Sequence, residues 1–362
     1  MSAAIALTTT RHRVISDTAL LWASVGFMAM RFVGAHVDAW YHLHYGFAIE
    51  SFFTWPHALL YAGWVAGGLV LALYLLDSIR LGVRPRAWLP AGFLLVGLGI
   101  VLFGLGGAFD IVWHNLVGFE VRLETLLAPS HQWLVVSTLI TSFGLLQASA
   151  RERSSVPSYR PALSDVPLVL SLCFILRGTL WSLFYSEPSA IDYASGASSA
   201  RLLFGFAGPS GGMALEIAGV TGILLHTVLV ALFLAAPLWH LRLPGGSIAA
   251  LLLFDGLLVA ASTDLWRYLP AVIGAALLGE VIWARMWRGG LRGIEGETGY
   301  WLIGAAVPAL QFFLYFALME GFGGGVLWST HLWAGTPLLA GLFGLIATML
   351  VVPPLFLRLP RS

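Results

Sequence analysis

The chain has 362 residues, of which 59% are hydrophobic and only 10% charged, with a formal net charge of +1 and a mean hydropathy of +0.86. A soluble domain carries about 25% charged residues, so this composition belongs to an integral membrane protein. Near-neutral charge and the lack of long polar stretches exclude a nucleic-acid-binding surface and a separate soluble domain.

A membrane helix needs about 20 apolar residues to cross about 30 Å of hydrocarbon. Runs of that length fall at about residues 16–36, 57–77, 89–110, 129–149, 166–186, 213–238, 246–263, 269–286, 300–319 and 331–357. The pattern predicts an all-α, polytopic bundle of ten transmembrane helices. The first run is long enough to remain a span rather than serve as a cleaved signal. Residues 1–150 would supply two helical hairpins, and residues 151–362 six further spans of the same membrane domain.

Basic residues accumulate in cytoplasmic loops, and here they alternate. Arg11 and Arg13 precede the first span, Arg80, Arg84 and Arg86 follow the second, and Arg151, Arg153 and Arg160 follow the fourth. The alternation continues at Arg242, at Arg285, Arg288 and Arg292, and at Arg358 and Arg361. This predicts a multi-pass protein of the cell membrane with both termini in the cytoplasm. All 19 basic residues are arginine, and the single Cys173 rules out an internal disulfide or a four-cysteine zinc site.

Within the first 150 residues one pattern occurs twice. Asp38, His42, Gly46, Phe47, Glu50 and His57 are matched by Asp110, His114, Gly118, Phe119, Glu124 and His131, the second copy having two extra residues before its glutamate. The shared pattern is Asp-x3-His-x3-Gly-Phe, a spacer, then Glu-x6-His. Asp, Glu and His bind metal ions through oxygen and nitrogen. Both copies fall on the extracytoplasmic, periplasm-facing side of the predicted topology, as do seven of the ten histidines.

The spacing suits chelation. Residues at i and i+4 share a helix face, so Asp38 with His42, and Asp110 with His114, can face one ion. His57 and His131 begin the returning helices, which an antiparallel hairpin brings close to the preceding helix end. Glu50 and Glu124 are candidates for a catalytic base, a further ligand or an outer partner of the imidazoles. The competing reading is a hydrogen-bond network pinning two hairpins together. Trp40, Trp113, Gly46 and Gly118 read as scaffold.

The run Asp110-Ile-Val-Trp-His114 followed by Ala128-Pro129-Ser130-His131, and more loosely Asp38 to His42 followed by Thr54-Trp55-Pro56-His57, resembles the copper-site motif in one membrane-embedded component of the copper membrane monooxygenases. That family oxidises methane or ammonia. The resemblance implies copper at Asp110, His114 and His131 and, through the repeat, at Asp38, His42 and His57. It covers about 100 residues; the histidine spacings are longer than the family's, and the last six spans show no likeness. It implies a monooxygenase-like oxidation of a small apolar substrate, and leaves partner subunits or a homo-oligomer open.

Zinc and iron are the alternative metals, and a zinc-dependent membrane hydrolase is an alternative activity, since three ligands plus an open position make a catalytic zinc site. His331 and His44 are further candidate ligands, while His36 matches nothing in the second copy. Arg31 is expected to pair with Asp38 or Glu50 or, preferably, to snorkel to the interface. Ionisable residues inside a membrane are functional candidates. Arg177, Glu216, His226, Asp255 and Glu280 therefore keep a metal-ion or proton-coupled transporter in view, with Arg177 and Glu216 as one candidate buried pair.

Overall fold

A computed structural model describes residues 13–45, 54–118, 124–153, 156–195, 211–293, 295–322 and 324–354. Among the described residues there are ten membrane-scale helices and no strand. They are α1 Asp17–Tyr45, α2 Trp55–Arg80, α3 Phe93–Val117, α4 Pro129–Glu152, α5 Val166–Trp181, α6 Gly211–Leu241, α7 Ser247–Thr263, α8 Leu269–Trp287, α9 Thr298–Phe322 and α10 Thr330–Val351. A one-turn helix, Glu124–Leu127, interrupts the connection between α3 and α4. The chain is thus an all-α polytopic membrane bundle, as its apolar runs predict.

Nine of these elements are long and apolar enough to cross a membrane, α5 when joined to the 3-10 turn before it. The exception is α7, whose 17 residues rise about 26 Å. Large apolar side chains such as Leu94, Leu116, Leu338 and Leu350 are at least three-quarters exposed, as suits an apolar bundle that contacts lipid.

The first four helices form two tight hairpins, α1 with α2 and α3 with α4. Lipid tails are as apolar as leucine, so membrane helices associate through close packing of small residues. Gly34 of α1 lies against the backbone of α2: a Cβ there would stand 2.5 Å from the Leu60 nitrogen. Gly144 of α4 does the same on α3, where a Cβ would come 2.7 Å from the Val96 nitrogen. These contacts set the helix separation on which both Asp-His arrangements depend.

The ends of the bundle differ in character. At one end Arg153 ties α4 to α5 and α6, through Asp165 at 2.7 Å and the carbonyls of Leu241 and Arg242. There too Arg13 pairs with Asp17 and bonds Tyr74, and Arg242 pairs with Glu295. The opposite end holds the C-termini of α1 and α3, the N-termini of α2 and α4, and the His44–Asp264 pair at 2.7 Å that joins α1 to the end of α7.

One segment departs from the predicted loops. The apolar run predicts a fifth span reaching residue 186, but α5 stops at Trp181, and Glu187, Ile191, Asp192, Tyr193 and Ala194 beyond it are buried. Several polar groups of this segment are engaged by other parts of the chain. Arg177 takes Glu187, Asp192 accepts from Arg267 and from the Tyr268 hydroxyl at 2.6 Å, and the Ala194 carbonyl accepts from the Leu327 N–H.

Candidate metal centre

Local sequence places the histidines. Thr54 caps α2, its hydroxyl accepting from the His57 N–H, and Pro56 occupies the first turn. Pro129 opens α4 in the same way. Ser, Thr and Pro are favoured at these positions because the first turn's N–H groups lack intrahelical partners. Each returning helix therefore presents its histidine as the third helical residue, facing the last turns of the preceding helix.

The aspartates meet them there. In α1 and α2, His42 Nε2 lies 3.6 Å from Asp38 Oδ1 and His57 Nε2 lies 3.6 Å from Asp38 Oδ2. In α3 and α4, His114 Nε2 and His131 Nε2 converge on Asp110 Oδ1, at 3.4 and 3.3 Å. The ring centroids of the histidine pairs are 6.1 Å apart in the first triad and 5.6 Å in the second. Only in the second do single ligand atoms from all three residues fall within 4.8 Å of one another, among the described residues.

These separations are compatible with a bound ion. A charge-assisted N–H···O bond closes to about 2.7–2.9 Å, shorter than any of the four distances. Two ligands each about 2.0–2.1 Å from one ion lie about 3.3 Å apart in a tetrahedron and about 3.6 Å apart in a trigonal plane. Asp110 is only 2% exposed, and its Oδ1, like Asp38 Oδ1, is buried without a hydrogen-bond partner. A buried carboxylate needs a counter-charge, and an ion between the imidazoles would supply it. In donor type the residues of the second triad, grouped within 4.8 Å, fit a copper, zinc or iron ion.

Outer contacts orient the rings. Thr54 Oγ1 lies 3.0 Å from His57 Nδ1, leaving Nε2 turned toward Asp38. His114 Nδ1 lies 3.4 Å from the carbonyl of Gly118, which ends α3 at φ +94°, a conformation open to glycine and costly to other residues. Groups that bond the far nitrogen of a ligating histidine fix its tautomer and direction. Gly118 is therefore more than a packing residue.

Both triads face one chamber. A cavity of about 210 Å³ is lined by Asp38, His42, His57, Asp110 and His131, with apolar walls that include Phe32, Leu60, Phe103, Leu134 and Trp181. Tyr61, one turn after His57, also lines it, its ring 6.3 Å from that of His57 and 5.8 Å from Phe103. Neither the shared chamber nor Tyr61 is apparent from the sequence spacing, although Tyr61 sits at i+4 from His57 and so on the same helix face.

The remaining candidates fall elsewhere. Glu50 lies outside the described residues, as does the side chain of Glu124. His44 stacks on Trp40 and pairs with Asp264, and His331 is exposed at the start of α10. His36 is buried against Trp181, with Nδ1 2.8 Å from the Phe32 carbonyl. Arg31 does not snorkel: it is 4% exposed and lines the chamber. Arg177 pairs not with Glu216 but with Glu187 at 2.9 Å and Asp255 at 2.7 Å. His226 is buried and Glu216 half-buried. Glu280 accepts from the N–H groups of Gly246 and Ala249, capping α7.

No protein-family model, curated protein or solved structure matches this chain. What stands is a membrane-spanning helical protein with a candidate Asp-His-His metal centre.

Proposed function

We propose that this chain is a copper-dependent membrane oxidoreductase that oxidises a small apolar molecule. Asp110, His114 and His131 would hold copper, and Asp38, His42 and His57 a second ion. The observation that carries the reading is that both triads open on one apolar chamber, each with a histidine–carboxylate spacing suited to an ion. The arginine-rich ends of the helices would face the cytoplasm and the triads the opposite side, by the charge rule for membrane loops.

Bound copper would supply activation of dioxygen: one oxygen atom enters a C–H bond, and the other leaves as water with two protons and two electrons from an external donor. The protein's own contribution is positional. Asp110 and Asp38 each complete a donor set with two imidazoles, Thr54 fixes the His57 ring, and the walls from Phe32 to Trp181 exclude water and hold an apolar group beside the ligands. Transport has less support, because Glu280 is committed to a helix cap and Asp255 to Arg177.

The test is copper-loaded protein supplied with a chemical reductant, labelled dioxygen and a panel of small hydrocarbons. Label incorporated by wild type and lost in His114→Ala is the expected result. A protein that takes copper but incorporates no label into any substrate would contradict the oxidation, and purification with zinc alone would point to hydrolysis.

A further inference from the structure

Arg31 is a cation lining the chamber to which the metal reading gives no task. Its guanidinium lies over the ring of Phe103, 3.9 Å from the centroid, and Nη2 donates to Thr138 Oγ1 at 2.9 Å. Nη1 reaches only Met28 Sδ, at 3.5 Å, and the buried Nε has no partner. Among the described residues no carboxylate is paired with it; the two carboxylates that line the chamber, Asp38 and Asp110, each face two histidines. A guanidinium has five N–H donors in a planar fork that matches a carboxylate. Burying one in the membrane with most of them unused is costly.

We infer that the chamber binds a medium-chain monocarboxylate, its carboxylate on the free edge of Arg31 and its far end beside the triads. The chamber's shape and lining select this ligand over a bare anion. Its walls are mainly apolar, and its volume of about 210 Å³ exceeds the roughly 150 Å³ of a cavity that holds benzene. Arg31 and Asp38 are seven residues apart on one face of α1, about 10 Å along the axis. An extended chain advances about 1.2 Å per bond, so a chain of about eight carbons bridges the two. Binding at Arg31 stands on its own; only the fate of the far end rests on the proposed oxidation.

The test is equilibrium binding of radiolabelled octanoate to the full-length protein in nanodiscs, with metal content measured on the same samples. Wild type is expected to bind octanoate saturably. Octan-1-ol and inorganic phosphate, which each keep half of its chemistry, are expected to displace it at least tenfold less well than unlabelled octanoate. Arg31→Gln should weaken binding at least tenfold, and Ala35→Phe, which fills the chamber while leaving Arg31 in place, should abolish it. Octanoate binding without metal would uphold this site and remove the metal reading. Octanoate held equally by wild type, Arg31→Gln and Ala35→Phe, or displaced equally by octan-1-ol, would overturn it.

Discussion

The two triads use the same residue types at the same helix positions and yet differ in tightness. In the second, both imidazoles meet one carboxylate oxygen of a side chain that is 3% exposed; in the first, they meet different oxygens of a side chain that is 18% exposed. The second site also has an anchored connection beside it. Residues 118–128 include the one-turn helix Glu124–Leu127, whose Leu126 carbonyl accepts from Gln132 Nε2 at 2.6 Å, anchoring the connection beside His131. The shared Asp-x3-His spacing thus does not by itself fix the closeness of a site.

The largest separation between the two should come from removing a ligand. Asp110→Ala is expected to lower metal affinity at the second site by more than about 100-fold, beyond the 10–100-fold typical of outer partners, as read by chelator competition. Asp38→Ala should cost less, because its site is looser. Equal losses would erase the distinction. Hairpin closure comes next. Gly144→Val and Gly34→Val each drive a side chain into a neighbouring backbone, and overpacking costs about 1–3 kcal/mol. Both should lower the thermal midpoint in detergent, and an unchanged midpoint would mean that the glycines do not set the hairpin spacing.

Smaller effects probe single contacts. Thr54→Val removes the hydroxyl beside His57 Nδ1 and should weaken the first site about tenfold while leaving the second untouched; a change at both would show that the chamber couples them. His44→Ala removes a half-exposed ion pair with Asp264, worth under about 1 kcal/mol. Metal content should be the same as in wild type. A loss of metal there would restore His44 as a ligand.

Much of this is legible in the chain. Apolar run length locates the ten helices because a span must satisfy its backbone internally over about 20 residues. The i, i+4 spacing places Asp38 with His42 and Asp110 with His114, and Thr-Trp-Pro-His and Pro-Ser-His locate His57 and His131 in first turns. Contacts between distant elements are not legible. Arg177 takes Glu187 from a buried segment just beyond the fifth apolar run, and Arg31 turns inward because Phe103 and Thr138 receive it. Such pairings depend on which helices become neighbours, which spacing within one helix does not encode.

The most direct test of the metal centre is elemental analysis with electron paramagnetic resonance on detergent-purified wild type, His114→Ala and His42→Ala. Wild type should carry copper with nitrogen ligation, His114→Ala should lose the more tightly held ion, and His42→Ala should keep it. Equal metal content and identical spectra in all three proteins would contradict a metal site at either triad.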